Sequence, residues 1–113
     1  MHWFTDEWRI DENVYSINNG VLFNFIKINA LKPQRISFDE IAYKGNIDRD
    51  FFRYQLANTN YPMIVSKMQN PYNKKYRLID GRHRIHKLMD NGEKDGLFYE
   101  IPKEFILKWI VKH

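Results

Sequence analysis

Residues 76–92, YRLIDGRHRIHKLMDNG, hold the side chains of this chain best suited to chemistry. Asp80 and Gly81 make a corner between a strand-like run and a helix-like run. Arg82, His83, Arg84, His86 and Lys87 then crowd the first turns of the helix. The macrodipole places partial positive charge at a helix N-terminus, so cations there are unfavourable for the helix alone. The first helical amides, about residues 82–85, have no intrahelical acceptor and point outward. A glycine beside them lets a ligand approach the backbone closely, and such an end is already an anion site. Two guanidinium forks become well placed there once a phosphate or carboxylate sits over the helix end. Gly81, Arg82, His83 and Arg84 are therefore the candidate phosphate- or nucleotide-binding residues. His83 and Asp80 are the candidate catalytic pair, with His83 as proton donor and Asp80 or Glu40 as base or metal ligand.

Plainer roles compete for the same residues. Asp80 would serve well as an N-cap, one arginine could pair with a surface carboxylate, and His83 and His86 could be ordinary side chains. A metal held by His83, His86 and Asp80 would be repelled by Arg82, Arg84 and Lys87, so no protein metal site is expected. Mg²⁺ would then enter only in company with a nucleotide.

The charge distribution points the same way. The chain has 113 residues and a formal net charge of +4. Residues 74–87 alone contain six Lys/Arg against Asp80, a local net charge of +5, so the basicity is concentrated rather than general. A local excess suggests an anionic ligand. If that ligand is nucleic acid, Lys74, Lys75, Arg77 and Lys87 would track its backbone while Tyr72 or Tyr76 stacks on bases.

The elements that must position these residues can be read from pattern. The apolar fraction is 43% with 16% aromatics, enough for one modest core over residues 1–113. Residues 1–19 read as an N-terminal arm or a short helical turn containing Trp3, Phe4 and Trp8. VLFNFIKIN (residues 21–29) is rich in β-branched and aromatic residues and predicts a strand. SFDE at residues 37–40 has capping-box form, predicting a short helix through Tyr43. A second helix is expected over about residues 46–56, with Ile47, Phe51 and Tyr54 at helical spacing. MIVSKM and KKYRLI predict two strands joined by the turn-forming Asn70-Pro71-Tyr72-Asn73. Ile85, Leu88 and Met89 mark one helical face, closed by Asn91-Gly92. LFYEI predicts a last strand, and Phe105, Ile106, Trp109 and Ile110 a last helix opened by Pro102. The expected class is α+β, a small mixed β-sheet flanked by helices.

With no cysteine, disulfides and thiol nucleophiles are excluded. No apolar run reaches the roughly 18 residues needed to span a bilayer. The acidic, polar N-terminus lacks a signal-peptide pattern, so a cytoplasmic location and no membrane partner are expected.

YPMIV followed by YRLIDGRHRIHKL resembles the ParB/sulfiredoxin-like superfamily, in which a strand of the form P-I-V-V precedes a strand–turn–helix that reads phosphate. The order of elements matches over about residues 21–101, and the motifs are specific over residues 61–65 and 76–89. IKINALKPQR also resembles the family's opening strand. Gly81, His83 and Arg84 match its Gly-x-His-Arg element, and Asp80 its Asp-Gly variant. The resemblance implies a ParB-like domain in which Gly81 and the amides after it hold phosphate, with Arg84 as cationic partner. Sulfiredoxins carry their catalytic cysteine where this chain has Arg82, which rules out sulfinic-acid reduction. Partition-type ParB proteins carry glutamate there, so Arg82 counts against metal-dependent CTP hydrolysis. The expectation is a stand-alone copy of the N-terminal module. It would bind a nucleotide or related phosphorylated ligand, with phosphoryl transfer or nucleotide hydrolysis as a further step. The alternatives are a DNA- or RNA-binding protein or small ParB-like nuclease, and an interaction module with a vestigial pocket.

Overall fold

The computed structural model describes residues 8–10, 13–43 and 45–113. In chain order these form β1 (Trp8–Ile10), β2 (Asn13–Ser16), α1 (Asn19–Ile28), β3 (Gln34–Ser37), a 3-10 turn (Phe38–Glu40) and β4 (Ile41–Ala42). There follow α2 (Phe52–Gln55), β5 (Met63–Ser66), β6 (Tyr76–Asp80), α3 (Arg82–Asp90), β7 (Asp95–Glu100), α4 (Lys103–Trp109) and β8 (Val111–Lys112). The class is α+β. A mixed five-stranded sheet runs in the order β3-β7-β5-β6-β4, and a three-stranded sheet in the order β1-β2-β8.

The central strand explains the sheet. All four residues of β5, Met63, Ile64, Val65 and Ser66, are buried, as expected of a strand covered on both faces. Their alternation divides the core in two. Met63 and Val65 pack with Ile36, Phe38, Ile41, Tyr76, Phe98 and Ile85 of α3. Ile64 packs on the other side with Trp8, Ile17, Leu22, Met68, Ile79, Ile101 and Ile106. β5 runs antiparallel to β6 and parallel to β7, so α3 lies on the connection between the strands that flank β5.

The run at residues 21–29 is a helix, not the strand its composition suggests. Leu22 is fully buried, and Phe25 and Ile26 pack against the same cluster, the i, i+3, i+4 spacing of one helical face. The Asn18 side chain caps the helix by accepting from the Gly20 amide at 2.7 Å. Phe23 and Ile28, which made the run look β-like, are exposed. The expected helix through Tyr43 stops after one 3-10 turn, where Ser37 accepts from the Asp39 amide, and the chain re-enters the sheet as β4. The helix expected over residues 46–56 contracts to the single turn of α2. Within the expected arm, Trp8 lies in a strand and is buried; Trp3 and Phe4 fall outside the described residues.

Candidate functional site

β4 decides where an opening can form. It pairs with β6 only at Tyr76 and Arg77, so along Leu78–Ile79–Asp80 the outer edge of β6 has no partner from β4. A cleft of about 390 Å³ occupies that position. Its floor is β6 itself, continuing through Asp80 and Gly81 to Arg82 at the start of α3. Trp8, Arg9 and Val14 of the β1–β2 pair form one wall, Ala42 and Tyr43 another, and Pro71 and Tyr72 the rim.

The α3 junction is shaped by Gly81. It is the N-cap of α3 at φ +116°, a conformation that side chains rarely adopt, and no side chain caps the helix there. A Cβ at Gly81 would lie 2.4 Å from Met63 Cγ and 2.8 Å from Met63 Cβ. The turn is thus closed on its inner side by the buried central strand. Glycine is required twice, once for backbone conformation and once for space.

The cations of residues 74–87 divide sharply. Arg84 donates from Nη2 to Asp80 Oδ2 at 2.7 Å and from Nη1 to the Pro62 carbonyl at 3.0 Å. Asp80 is thereby held as its partner, and both side chains are largely buried. Arg84 is not part of the cleft wall, whereas Arg82 is. Arg77 is only 8% exposed and donates to the carbonyls of Gln69 at 2.8 Å and Arg9 at 2.6 Å. Burial lowers its pKa from the ordinary value. It fastens two walls together, because Gln69 leads into the Pro71–Tyr72 rim and Arg9 belongs to β1. Lys87 donates to the carbonyls of Gln55 and Ala57 at the end of α2. Lys74 and Lys75 are exposed. Their loop is shaped by Asn70, which accepts from the Tyr72 and Lys74 amides and donates to the Lys74 carbonyl.

The two histidines face elsewhere. His83 is buried, with its ring 5.9 Å from that of Phe51, and does not line the cleft. His86 is buried edge-on to Tyr43 at 5.5 Å, and the Tyr43 hydroxyl donates to Met89 Sδ at 3.2 Å. Those contacts fix Tyr43 as a rigid aromatic wall. Glu40 is exposed at the end of the 3-10 turn and outside the cleft wall. Of the expected site, the fold brings Asp80, Gly81 and Arg82 together and sends His83 and Arg84 to other sides of α3.

Among the further residues that line the cleft, Trp8, Arg9 and Tyr43 bring aromatic rings and a cation. Sequence spacing gives no sign of them, since Arg9 reaches this place through a contact with Arg77 across 68 positions. Among the described residues Asp80 is the carboxylate of the cleft wall and is committed to Arg84, so those residues do not furnish a carboxylate set for Mg²⁺. Among the described residues, no three His, Asp or Glu side chains converge to hold a metal, and no helix is long and apolar enough to cross a membrane. The cleft can supply outward amides at the start of α3, the cations Arg82 and Arg9, and aromatic walls. That combination suits an anion joined to a flat apolar group. No family model, curated protein or solved structure matches the chain.

Proposed function

We propose that the cleft binds a nucleotide or related phosphorylated ligand, with the phosphate over the N-terminal end of α3. The observation that carries this reading is the coincidence of three features. The start of α3 lacks a side-chain cap, the helix is cation-bearing there, and that end opens into a cleft walled by Trp8, Tyr43 and Tyr72. A phosphate over this end would accept from the first amides and from Arg82, with Arg9 on the opposite wall adding positive charge. Arg84 contributes indirectly, by holding Asp80 in a neutralising pair so that its carboxylate repels the anion less. Of the residues that carry the resemblance to the ParB/sulfiredoxin-like superfamily, Asp80 and Gly81 border this cleft, and a stand-alone ParB-like module that binds phosphate through the amides after Gly81 would fit both.

Binding is what the geometry favours; phosphoryl transfer finds less support, since His83 lies away from the cleft and Asp80 is already engaged. A small ligand is also preferred over nucleic acid. Of the four cations assigned to a backbone track, Arg77 and Lys87 are spent on backbone carbonyls, leaving Lys74 and Lys75 exposed.

A thermal-shift screen of nucleotides and pyrophosphate, with and without Mg²⁺, tests the reading. A ligand at 100 times its dissociation constant stabilises the fold by about 2.7 kcal/mol. Arg82→Ala should then weaken the selected ligand at least tenfold in calorimetry, the usual scale for a lost charge-assisted hydrogen bond. No shift with any phosphorylated compound, or unchanged affinity in Arg82→Ala, would remove the proposal.

A further inference from the structure

The cleft opens on backbone as well as on side chains. Leu78 packs against the core cluster of Met63 and Val65, whereas Ile79 belongs to the cluster of Ile64 on the opposite face of the sheet. Both residues nevertheless line the cleft. Successive residues of a strand point to opposite faces, so a volume touched by both lies off the strand's edge. That edge is the β4 side of β6, since β5 covers the other.

The register shows which backbone groups face it. The Val65 carbonyl accepts from the Ile101 amide at 3.0 Å, so Val65 turns its peptide groups toward β7 and away from β6. Val65 stands opposite Leu78 in the antiparallel β5–β6 ladder. This pair therefore exchanges no hydrogen bonds, and the Leu78 N–H and C=O both point to the β4 side. The β4 ladder ends with Ala42 opposite Arg77. In parallel pairing that register gives the Leu78 amide the Ala42 carbonyl and leaves the Leu78 carbonyl beyond the ladder's end. Among the described residues nothing donates to it.

We infer that the Leu78 carbonyl is the acceptor that selects the non-phosphate end of the ligand, and that this end is a heteroaromatic group bearing an amine, as in adenine or cytosine. The inference rests on the phosphate reading above and adds to it the other half of the ligand. Leu78 lies three residues before Gly81, about 10 Å along the strand. That is comparable with the span from the phosphate to the outer edge of the base in an extended nucleotide. Tyr43, fixed by His86 and Met89, brings an aromatic wall to the same cleft. An aromatic face takes any base, whereas a carbonyl takes only a donor. A base with a carbonyl in place of the amine would set two acceptors against each other.

The test is calorimetry of the full chain with ribose 5-phosphate and with pairs of nucleoside 5′-monophosphates that exchange the amine for a carbonyl, adenosine against inosine and cytidine against uridine. In at least one pair the amine member should bind about tenfold tighter, the scale of one hydrogen bond. Dimethylating the preferred amine keeps the ring and removes the donor, and should lower affinity to that of the carbonyl partner. No side-chain substitution removes the acceptor, so the direct readout is the assigned carbonyl carbon of Leu78. Its resonance should move with the amine nucleotide and stay in place with ribose 5-phosphate. Equal binding within both pairs, tighter binding of the carbonyl members, undiminished binding of the dimethylated ligand, or a stationary Leu78 carbonyl overturns the role of Leu78 while leaving the phosphate seat standing. Binding of none of these ligands overturns both.

Discussion

The two ends of α3 carry charges opposite to those the macrodipole favours, and the molecule treats them differently. At the C-terminal end the anion Asp90 is fully answered. Arg49 donates to it twice, at 2.7 and 3.0 Å, and the Tyr54 hydroxyl donates at 2.5 Å. The backbone closes as well: the Gly92 amide reaches the Met89 carbonyl and the Glu93 amide the Leu88 carbonyl, a Schellman ending. At the N-terminal end Arg84 is answered by Asp80, but the helix has no side-chain cap, and Arg82 stands in the wall of a cleft. A misplaced charge with its partners supplied is architecture. At the other end an uncapped helix start and Arg82 border an open volume, and it is there that the proposed ligand would sit.

The glycines at the two ends give the strongest way to break this comparison. Both have positive φ, +116° at Gly81 and +88° at Gly92, but Gly81 faces Met63 whereas Gly92 has nothing within 4 Å. Gly81→Ala should destabilise by about 4 kcal/mol, combining backbone strain with overpacking against β5, as measured by urea unfolding. Gly92→Ala should cost about 1 kcal/mol, the backbone part alone. Equal losses at the two positions would show that the N-terminal turn is not built against the core.

Between these in size falls Arg84→Met, which deprives Asp80 of its partner and the Pro62 carbonyl of its donor. The loss should be about 2 kcal/mol, lessened because removing a cation from a helix N-terminus is favourable in itself. Because an unpaired Asp80 carboxylate would face the cleft, phosphate affinity should fall in the same variant. A variant that unfolds more readily yet binds equally well would separate the Asp80–Arg84 pair from the site.

The smallest effect belongs to Asp90. Hydrogen bonds from Arg49, then Tyr54, lower its pKa from 3.8 to about 2. The folded value lies below the unfolded one, so the contribution is complete above about pH 4 and lost as pH falls toward 2. Asp90→Asn should flatten that acid limb of the stability curve, and salt should shrink the effect, since the pair is exposed. An acid limb unchanged in Asp90→Asn would mean that the clasp contributes nothing.

Much of the frame that positions the site is legible from local pattern. MIVS, YRLID and the helix from Arg82 stand where their periodicity places them, because each is fixed by burial of its own alternate or helical face. Residues 21–28 mislead because Val, Phe and Ile favour strands by type. Their helical arrangement is set by which of them reach the core, and Leu22 does while Phe23 does not. The corner at Asp80-Gly81 is equally legible, yet the division of labour among its cations is not. Adjacent residues on a helix face different directions, so Arg82 meets the cleft while Arg84 meets Pro62. Trp8, Arg9 and Tyr43 join the site through long-range packing that no local spacing records.

The central claim, that the N-terminal end of α3 is the phosphate seat and the C-terminal end is closed, is tested most directly by an amide NMR titration with a nucleoside diphosphate. The largest shifts should fall on Gly81, Arg82 and the next amides of α3, with Asp90, Asn91 and Gly92 unmoved. Shifts confined to Lys74 and Lys75, or as large at Gly92 as at Gly81, would contradict the account.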